Sequence, residues 1–220
     1  MDYQFIETVT LDFDLGKLLS VDFSLNFGSS CTVSLTEKVM DEIIDYIQNE
    51  GAPDFIWFKR IKTSFKHAKC KEIVKQIKMV YPNQKIGIYL NCALFQDVKI
   101  RKDFYKYDLV AINLNTVDPL NFSKINQCAD SVDSEKILAG IKEFRTKFNG
   151  NFGIYSLFLH GINDSSENLE SLKMFLLKTI PDHFSISTYT LNGFEPISKE
   201  FKNKVKETFR YLPFKVYYRF

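Results

Sequence analysis

Short apolar runs alternate with longer amphipathic stretches along most of the chain. Each short run is apolar at nearly every position, as expected for a strand whose two faces are both covered in a parallel sheet. The longer stretches repeat their apolar residues at spacings of three and four, which is the period of a helix. Repeated strand–helix units follow from this alternation. Six strands are predicted, near Leu19–Leu25, Phe55–Phe58, Lys85–Leu90, Leu109–Leu114, Phe152–Leu159 and His183–Tyr189.

The amphipathic stretches also show where helices begin and end. The stretch Thr36–Gln48 places Val39, Ile43 and Ile47 on one face, and Gly51 follows as a stop signal. Capping residues and Pro181 delimit the later helices in the same way. Three of these are predicted: one opening at Asp133 and running to Phe148, one from Asp164-Ser165-Ser166-Glu167 to Pro181, and one over Ser198–Phe209.

Two extended stretches fall outside the six units, Tyr3–Phe13 and Phe214–Phe220. We expect them to form additional strands that could pair with each other as an edge. The chain shows no internal repeat, low-complexity tract or Pro/Gly/Ser-rich linker. The sequence therefore predicts an α/β fold in which residues 1–220 form a single domain.

Composition supports a buried core and limits the partners. Of the 220 residues 45% are hydrophobic and 25% charged, and the formal net charge is +2, too small to indicate a nucleic-acid partner. The first residues lack the basic head of a signal peptide, and no apolar run is long enough for a membrane helix. We therefore expect a cytoplasmic protein without a membrane partner, which binds a small polar ligand or another protein.

The cysteines and histidines do not form a familiar metal pattern. Four cysteines occur, at Cys31, Cys70, Cys92 and Cys128, and their spacing predicts free thiols. The three histidines are far apart along the chain, so no zinc site is expected. The sequence also lacks G-x-x-x-x-G-K-[ST], G-x-G-x-x-G, G-x-S-x-G and H-E-x-x-H motifs.

Polar residues follow the predicted strands, where ligands bind in parallel α/β folds. The amides among them suit a neutral polar ligand better than acid–base catalysis, although asparagine also favours turn geometry. The basic pair Lys59-Arg60 could meet a carboxylate or phosphate, or could form a solvated loop. The predicted ligand-binding residues are Asn26, Lys59, Arg60, Asn91, Asn113, Asn115, His160, Asn163, Tyr189 and Glu195, with Cys31 and Cys92 as weak metal-ligand candidates.

Five short segments in the second half of the chain form a recognisable series. They are Asp108–Thr116 (DLVAINLNT), Ile125-Asn126 (IN), Ile137–Ile141 (ILAGI), Phe158–Asp164 (FLHGIND) and Asn192–Pro196 (NGFEP). In their order and spacing, from about Lys85 to the end of the chain, they resemble radical S-adenosylmethionine (SAM) enzymes, and they are most similar to the Fe–S oxidoreductase subgroup related to wyosine-type tRNA-modifying enzymes. The resemblance implies a (β/α)6 partial barrel that binds SAM at the carboxyl ends of its strands.

The chain departs from this family where the [4Fe–4S] cluster would be held. The family has a C-x-x-x-C-x-x-C loop after its first strand, whereas the corresponding segment, residues 26–33, contains only Cys31. The second-strand Gly-Glu-Pro is replaced by Phe58–Ile61, and the third-strand Thr-Asn-Gly by Leu90–Cys92. The resemblance with these departures predicts a degenerate member without a cluster, for which SAM binding stays open.

Three functional hypotheses remain at the level of sequence. The first, which we favour, is a non-radical ligand- or partner-binding relative of the Fe–S oxidoreductases. The second is a still-active radical SAM enzyme that modifies RNA or a small molecule, in which Cys31, Cys92 and a ligand from a partner or substrate hold the cluster. In another form of this hypothesis, a different reaction uses His160 as base and Glu195 as orienting group. The third is a protein-interaction module whose surface patch would comprise Trp57, Phe58, Phe65, Tyr217 and Tyr218.

Overall fold

The computed structural model describes residues 6–10, 17–22, 35–61, 64–126, 133–190 and 193–220. The chain divides into two compact units, and each is described by itself. The first unit comprises residues 1–91 and 107–110, and the second comprises residues 92–106 and 111–220.

The first unit contains a sheet and two helices. Strand β1 (Ile6–Thr10) pairs antiparallel with β2 (Lys17–Asp22), and β3 (Phe55–Ile61) and β4 (Ile86–Asn91) continue the sheet in parallel. The helices are α1 (Leu35–Glu50) and α2 (Ser64–Val80).

The strands of the first unit present two different faces. Residues in register on neighbouring parallel strands share a face, so Leu19 and Ile56 lie on one face, and both are fully buried. On the other face Ser20 is in register with Trp57, and Asp22 with Lys59. This second face is more polar than the first, and its last pair lies at the carboxyl ends of β2 and β3.

The second unit is built around parallel strands with helices between them. Strand β5 (Leu109–Asn113) begins in the first unit and ends in the second. Strands β6 (Asn151–Leu157), β7 (His183–Ser187) and β8 (Lys215–Arg219) pair in that order and run parallel. The helices are α3 (Val98–Asp103), α4 (Pro119–Asn126), α5 (Ser134–Lys147), α6 (Ser166–Thr179) and α7 (Lys199–Phe209), with short 3-10 helices at Cys92–Gln96 and Phe104–Lys106.

A cluster of phenylalanine rings forms the core beneath α5. The ring of Phe144 lies 4.6 Å from that of Phe148, 5.2 Å from that of Phe95 and 5.6 Å from that of Phe152, centroid to centroid. Offset and edge-to-face contacts of this kind add to the stabilisation that comes from burying the rings.

The predicted strands correspond to β2 through β7, with shifted ends. Strand β3 continues to Ile61, three residues beyond its prediction, whereas β7 stops at Ser187, two residues before its prediction. The next residue after β7, Thr188, instead accepts a hydrogen bond from the Ile197 amide through its hydroxyl oxygen (2.9 Å). Residues 23–25 of the first predicted strand lie outside the described residues.

The predicted extra strands exist as β1 and β8, but their expected pairing with each other is wrong. Strand β1 pairs with β2, and β8 pairs with β7. Hairpin pairing of β1 with the next strand is local in sequence, so it closes a much shorter loop than pairing with the last strand.

Helix ends follow the predicted chemistry closely. Asp133 caps α5 by accepting from the Lys136 amide (3.1 Å), and Ser165 and Ser198 cap α6 and α7 in the same way. Gly51 follows α1 at φ +82°, where glycine avoids the strain that a side chain would cause. Within the described residues, no helix has the length and apolar character required to cross a membrane.

The structure does not expose the predicted aromatic patch. Trp57 and Phe58 are buried in the first unit because β3 is covered on both faces. Tyr217 and Tyr218 on β8 are half-buried, and the side chain of Phe65 lies outside the described part. An interaction surface built from Trp57 and Phe58 is therefore wrong.

Candidate functional site

The carboxyl ends of β2 and β3 bring two opposite charges together. Asp22 and Lys59 are in register, and Lys59 Nζ lies 3.7 Å from Asp22 Oδ2. Each side chain keeps about a quarter of its surface exposed, 24% for Asp22 and 22% for Lys59. The register of β3 against β4 shifts between Phe58 and Ile61, so an extra residue bulges at this strand end. We name Asp22 and Lys59 the charged pair.

A buried hydroxyl lies on the same face as the charged pair. Ser20 is two residues before Asp22 on β2, is fully buried, and its Oγ has no hydrogen-bond partner among the described residues. An unsatisfied buried hydroxyl is costly, so such groups commonly mark a place for a water or ligand. Asn91 ends the neighbouring strand β4 and is half-buried.

Asparagine side chains at the strand ends of the second unit bond mainly to the protein itself. Asn163 is fully buried, and its Nδ2 donates to the carbonyl oxygens of Asn115 (2.8 Å) and Leu157 (2.9 Å). Its Oδ1 accepts from the Leu159 amide (2.8 Å). Both amide hydrogens of Asn163 are therefore engaged in joining the end of β6 to the segment after β5.

Two further polar residues extend this arrangement. Asn168 Nδ2 donates to the carbonyl oxygen of Asn163 (2.8 Å), and Thr116 Oγ1 donates to Asn168 Oδ1 (2.6 Å). Thr116 Oγ1 in turn accepts from the Asp118 amide (3.0 Å). We name Asn115, Thr116, Asn163 and Asn168 the asparagine network.

The side chains of the other predicted asparagines also form hydrogen bonds within the protein, and they differ in how much bonding capacity this leaves. Asn113 Oδ1 accepts from the Cys92 amide (3.1 Å), which fixes the start of the 3-10 helix after β4. Asn115 Oδ1 accepts from the Leu157 amide (2.9 Å). Within the described part of the chain Asn115 Nδ2 has no acceptor, so this amide group retains hydrogens for a ligand.

His160 forms an exposed pair with a neighbouring carboxylate. Its Nδ1 lies 2.7 Å from Asp164 Oδ2, and the other carboxylate oxygen accepts from the Gly161 amide (2.9 Å). The His160 side chain is 65% exposed. Because Nδ1 is engaged, Nε2 is the ring nitrogen left for solvent or a ligand.

Glu195 contributes its backbone and not its carboxylate to this pair. The His160 amide donates to the Glu195 carbonyl oxygen (2.9 Å), and the bridge between Leu159 and Pro196 holds the two segments together. Asp164 therefore takes the orienting place that the sequence suggested for Glu195. Tyr189 and Glu195 are both exposed.

The described cysteines do not fit an iron–sulfur cluster. Cys70 lies in the middle of α2, fully buried, with its Sγ 3.8 Å from Tyr107 Oη. Burial raises the pKa of this thiol, which opposes the thiolate that iron requires. Cys92 is also fully buried. No group of three metal-binding side chains occurs among the residues that the structure describes.

Part of the predicted site lies outside the described structure. This applies to Asn26 and Cys31, and to the side chain of Arg60. Sequence reasoning missed Ser20, Asp22 and Asp164. The alternation of polar Ser20 and Asp22 with apolar Leu19 and Val21 was the signal for the first two, and the spacing of four after His160 was the signal for Asp164.

The fold is that of radical SAM enzymes, which confirms the predicted α/β partial barrel class. A radical SAM methyltransferase from Sphaerobacter thermophilus matches 97% of this chain and 69% of its own, with a TM-score of 0.65 and 15% identity. A domain of pyruvate-formate lyase-activating enzyme from Bacteroides vulgatus matches 71% of this chain and 90% of its own (TM-score 0.55, 16% identity). Methylornithine synthase matches 80% of this chain and 54% of its own (TM-score 0.55, 14% identity).

Curated relatives share sequence over parts of the chain. A UPF0026 protein from Helicobacter pylori is 30% identical over 117 residues, 53% of this chain and 38% of that protein. A protein from Brachyspira hyodysenteriae named GTPase Obg is 26% identical over 154 residues, 70% of this chain and 22% of that protein. The chain spans less than two fifths of the length of these relatives. No family model matches the chain.

Proposed function

We propose that this chain is a non-radical, ligand-binding protein of the radical SAM fold. The charged pair would bind the amino-acid part of SAM or of a related zwitterion. The observation that carries this proposal is the placement of Asp22 beside Lys59 at adjacent strand ends. An α-ammonium and an α-carboxylate are joined through one carbon, so they require a protein anion and cation side by side.

The geometry of the charged pair favours exchange with a ligand. The 3.7 Å separation is longer than the roughly 2.8 Å of a charge-assisted hydrogen bond, so the two side chains hold each other loosely. Partial exposure also keeps the pair weak in the absence of ligand. A zwitterion would replace this contact with two shorter ones, Asp22 to its ammonium and Lys59 to its carboxylate.

Two sequence features argue for binding without radical chemistry. The chain contains no C-x-x-x-C-x-x-C motif, and Cys31 is the sole cysteine in residues 23–34. In the family that the chain resembles, the cluster is what reduces SAM, so a chain that cannot anchor it would retain binding alone. The relationship to the wyosine-type subgroup and the cytoplasmic location stay predictions.

GTP hydrolysis is not part of this proposal. The relative named GTPase Obg matches over 22% of its length, and this chain has no G-x-x-x-x-G-K-[ST] sequence. That loop is what cradles the phosphates in nucleotide hydrolases of the P-loop type, so the sequence gives no basis for proposing GTP hydrolysis.

Calorimetric titration with SAM, methionine and adenosine tests the proposal. We expect SAM and methionine to bind, and Lys59→Gln and Asp22→Asn each to weaken methionine binding about tenfold or more, because each leaves one ligand charge unpaired. Lys69→Gln is the matched control, since Lys69 forms an exposed pair with Glu72 on α2 (3.1 Å). Absence of SAM and methionine binding, or equal losses in all three variants, would overturn the proposal.

A catalytic alternative rests on the His160–Asp164 pair. A histidine held by a carboxylate through Nδ1 can accept a proton at Nε2, which is the arrangement of a general base. If the chain turned over a ligand, we would expect His160→Gln to abolish turnover and to leave the affinity for that ligand unchanged. Turnover that survives this substitution would exclude His160 as the base.

A further inference from the structure

Charge is distributed unevenly along this chain. Residues 198–220 contain 7 of the 29 basic residues and 2 of the 27 acidic residues, a net charge of +5. The other 197 residues contain 22 basic and 25 acidic residues, a net charge of −3. The net charge of +2 for the whole chain is therefore the sum of a strongly basic segment and a slightly acidic remainder.

Three of these basic residues lie on one face of α7, and Arg210, the cap residue that follows the helix, continues the same line. The spacing of three, four and four residues between Lys199, Lys202, Lys206 and Arg210 places them within one narrow stripe. At a rise of 1.5 Å per residue the stripe is roughly 16 Å long. Among the described residues no carboxylate lies within ion-pair distance of Lys202, Lys206 or Arg210. We name these four residues the basic stripe.

Aromatic rings lie next to the basic stripe. Lys202 Nζ and Lys206 Nζ each lie 5.6 Å from the centre of the Phe220 ring, and Arg210 lies 5.2 Å from that of Tyr211. Tyr211 is 84% exposed, so its ring is accessible to a stacking partner from solvent.

A groove runs between α7 and β8 beside these rings. Its volume is about 360 Å³, which falls within the range of small-ligand pockets. Residues of both elements line it, so its wall combines cations, one carboxylate and apolar or aromatic side chains. These residues are Lys206, Glu207, Arg210, Phe214, Val216 and Tyr218.

We propose that this surface of the second unit binds single-stranded nucleic acid. The basic stripe would contact successive phosphates, and bases would stack on Tyr211 and enter the groove beside Tyr218. A positively charged track next to aromatic rings is the combination that sequence-tolerant single-strand binding requires. Unpaired bases are needed because a stacked duplex offers no ring face to these side chains.

A second copy of the chain suits this surface less well. Antiparallel pairing of β8 with itself about Tyr217 would set Lys215 opposite Arg219 in both directions. Like charges directly opposite each other destabilise a strand pair.

Fluorescence anisotropy with a labelled twelve-nucleotide oligouridylate tests the proposal. With three phosphate contacts, binding should weaken about twentyfold between 50 and 200 mM salt. We expect Lys206→Glu combined with Arg210→Glu to weaken binding by about tenfold or more. We also expect Tyr211→Ala to weaken binding about fivefold at unchanged salt dependence, since stacking on an aromatic ring does not depend on phosphate charge.

Two controls distinguish binding at the basic stripe from attraction of the oligonucleotide to positive charge elsewhere on the protein. Lys102→Glu combined with Lys178→Glu changes the net charge equally at exposed positions of α3 and α6, and should leave affinity within twofold. Urea unfolding should give the same midpoint for Tyr211→Ala as for the unchanged protein, because this ring is exposed.

Three results would overturn the proposal. The first is no oligouridylate binding at 50 mM salt. The second is equal weakening by the α7 pair and the control pair of substitutions, which would indicate non-specific attraction. The third is binding to phosphatidylserine vesicles without binding to the oligonucleotide, which would assign the surface to an anionic membrane. None of these results bears on the charged pair of the first unit, so the two proposals can fail separately.

Discussion

Asn163 shows, at the scale of single residues, how a predicted ligand residue can be committed to structure. Its buried side chain makes three hydrogen bonds, all to backbone atoms near the ends of β5 and β6. Asn163→Ala would leave the Leu159 amide and two carbonyl groups without partners. We expect a loss of about 2–4 kcal/mol in the free energy of unfolding, measured by urea denaturation.

An exposed asparagine provides the comparison for this substitution. Asn203 lies on the solvent side of α7, and Asn203→Ala should change the free energy of unfolding by less than about 0.5 kcal/mol. If Asn163→Ala were equally mild, the hydrogen bonds of the asparagine network would not hold the strand ends, and a ligand role for Asn163 would become the better account.

His183 makes the stability of the protein depend on pH. Burial lowers the pKa of its imidazole from 6.5 to about 4, and the nearby cations Arg219 and Lys215 act in the same direction while Asp182 opposes it. The folded state thus binds a proton less readily than the unfolded state. Its stabilising effect is complete above about pH 6.5 and is lost as the pH falls toward 4.

His183 is expected to contribute about 3 kcal/mol to the loss of stability across this window. His183→Gln removes the titrating group. The free energies of unfolding of the two proteins, measured in urea, should therefore change differently with pH between pH 6.5 and 4. Asn203→Ala, at an exposed position of α7 that carries no titrating group, should keep the full pH dependence. If the free energy of unfolding of His183→Gln fell with pH in parallel with that of the unmodified protein, His183 would not be the cause of the pH dependence.

At the scale of elements, the sequence predicts what depends on local periodicity and misses what depends on distant contacts. The starts of the strands at Phe55, Leu109 and His183 are predicted to the residue, because a run of mostly buried residues begins at each of these positions. Helix α3 was missed because it has six residues, too few for a periodic pattern, and is held by the Asp97 cap. Lys59 is among the predicted ligand-binding residues, but its pairing with Asp22 was missed, because the two residues are 37 positions apart and meet only when β2 and β3 pair.

The packing of α5 depends on a glycine that helix propensity would disfavour. A Cβ on Gly140 would lie 2.2 Å from the carbonyl oxygen of Phe95. That oxygen accepts a hydrogen bond of 2.6 Å from Arg101 Nη1, and the buried guanidinium also pairs with Glu143. Gly140→Ala should therefore destabilise the protein by about 2–4 kcal/mol, because it separates a buried charge from its acceptor.

Helix propensity alone predicts that Gly140→Ala stabilises the protein. Alanine is favoured over glycine in a helix interior by about 1 kcal/mol. The neighbouring exposed position gives the control, since Ala139→Gly should cost about that amount and no more. Thermal or urea unfolding of both variants distinguishes the two effects, and a stabilised Gly140→Ala protein would show that α5 does not approach Phe95 so closely.

At the scale of the whole molecule, fold and cofactor are separate questions. The likeness to radical SAM enzymes extends over 97% of the chain, yet it concerns the backbone at 15% identity. A partial barrel can keep its strand order while single residues at the strand ends change, because the buried faces of the strands determine the fold. The cluster depends instead on three thiolates placed within a few residues of one another.

The number and placement of the cysteines therefore determine how much iron the chain can hold. After anaerobic reconstitution with iron and sulfide, we expect this chain to bind far less than the four irons of a [4Fe–4S] cluster and to show no visible charge-transfer absorption, because Cys70 and Cys92 are buried and Cys31 is alone in its segment. Iron count and visible spectrum measure this directly, with Cys31→Ala as the comparison.

About four irons per chain, lost in Cys31→Ala, would mean that ligands from outside the usual loop complete a cluster, and would return the chain to the radical enzymes. An unchanged low iron content in both proteins, together with SAM binding, would leave a partial barrel that recognises the ligand without reducing it.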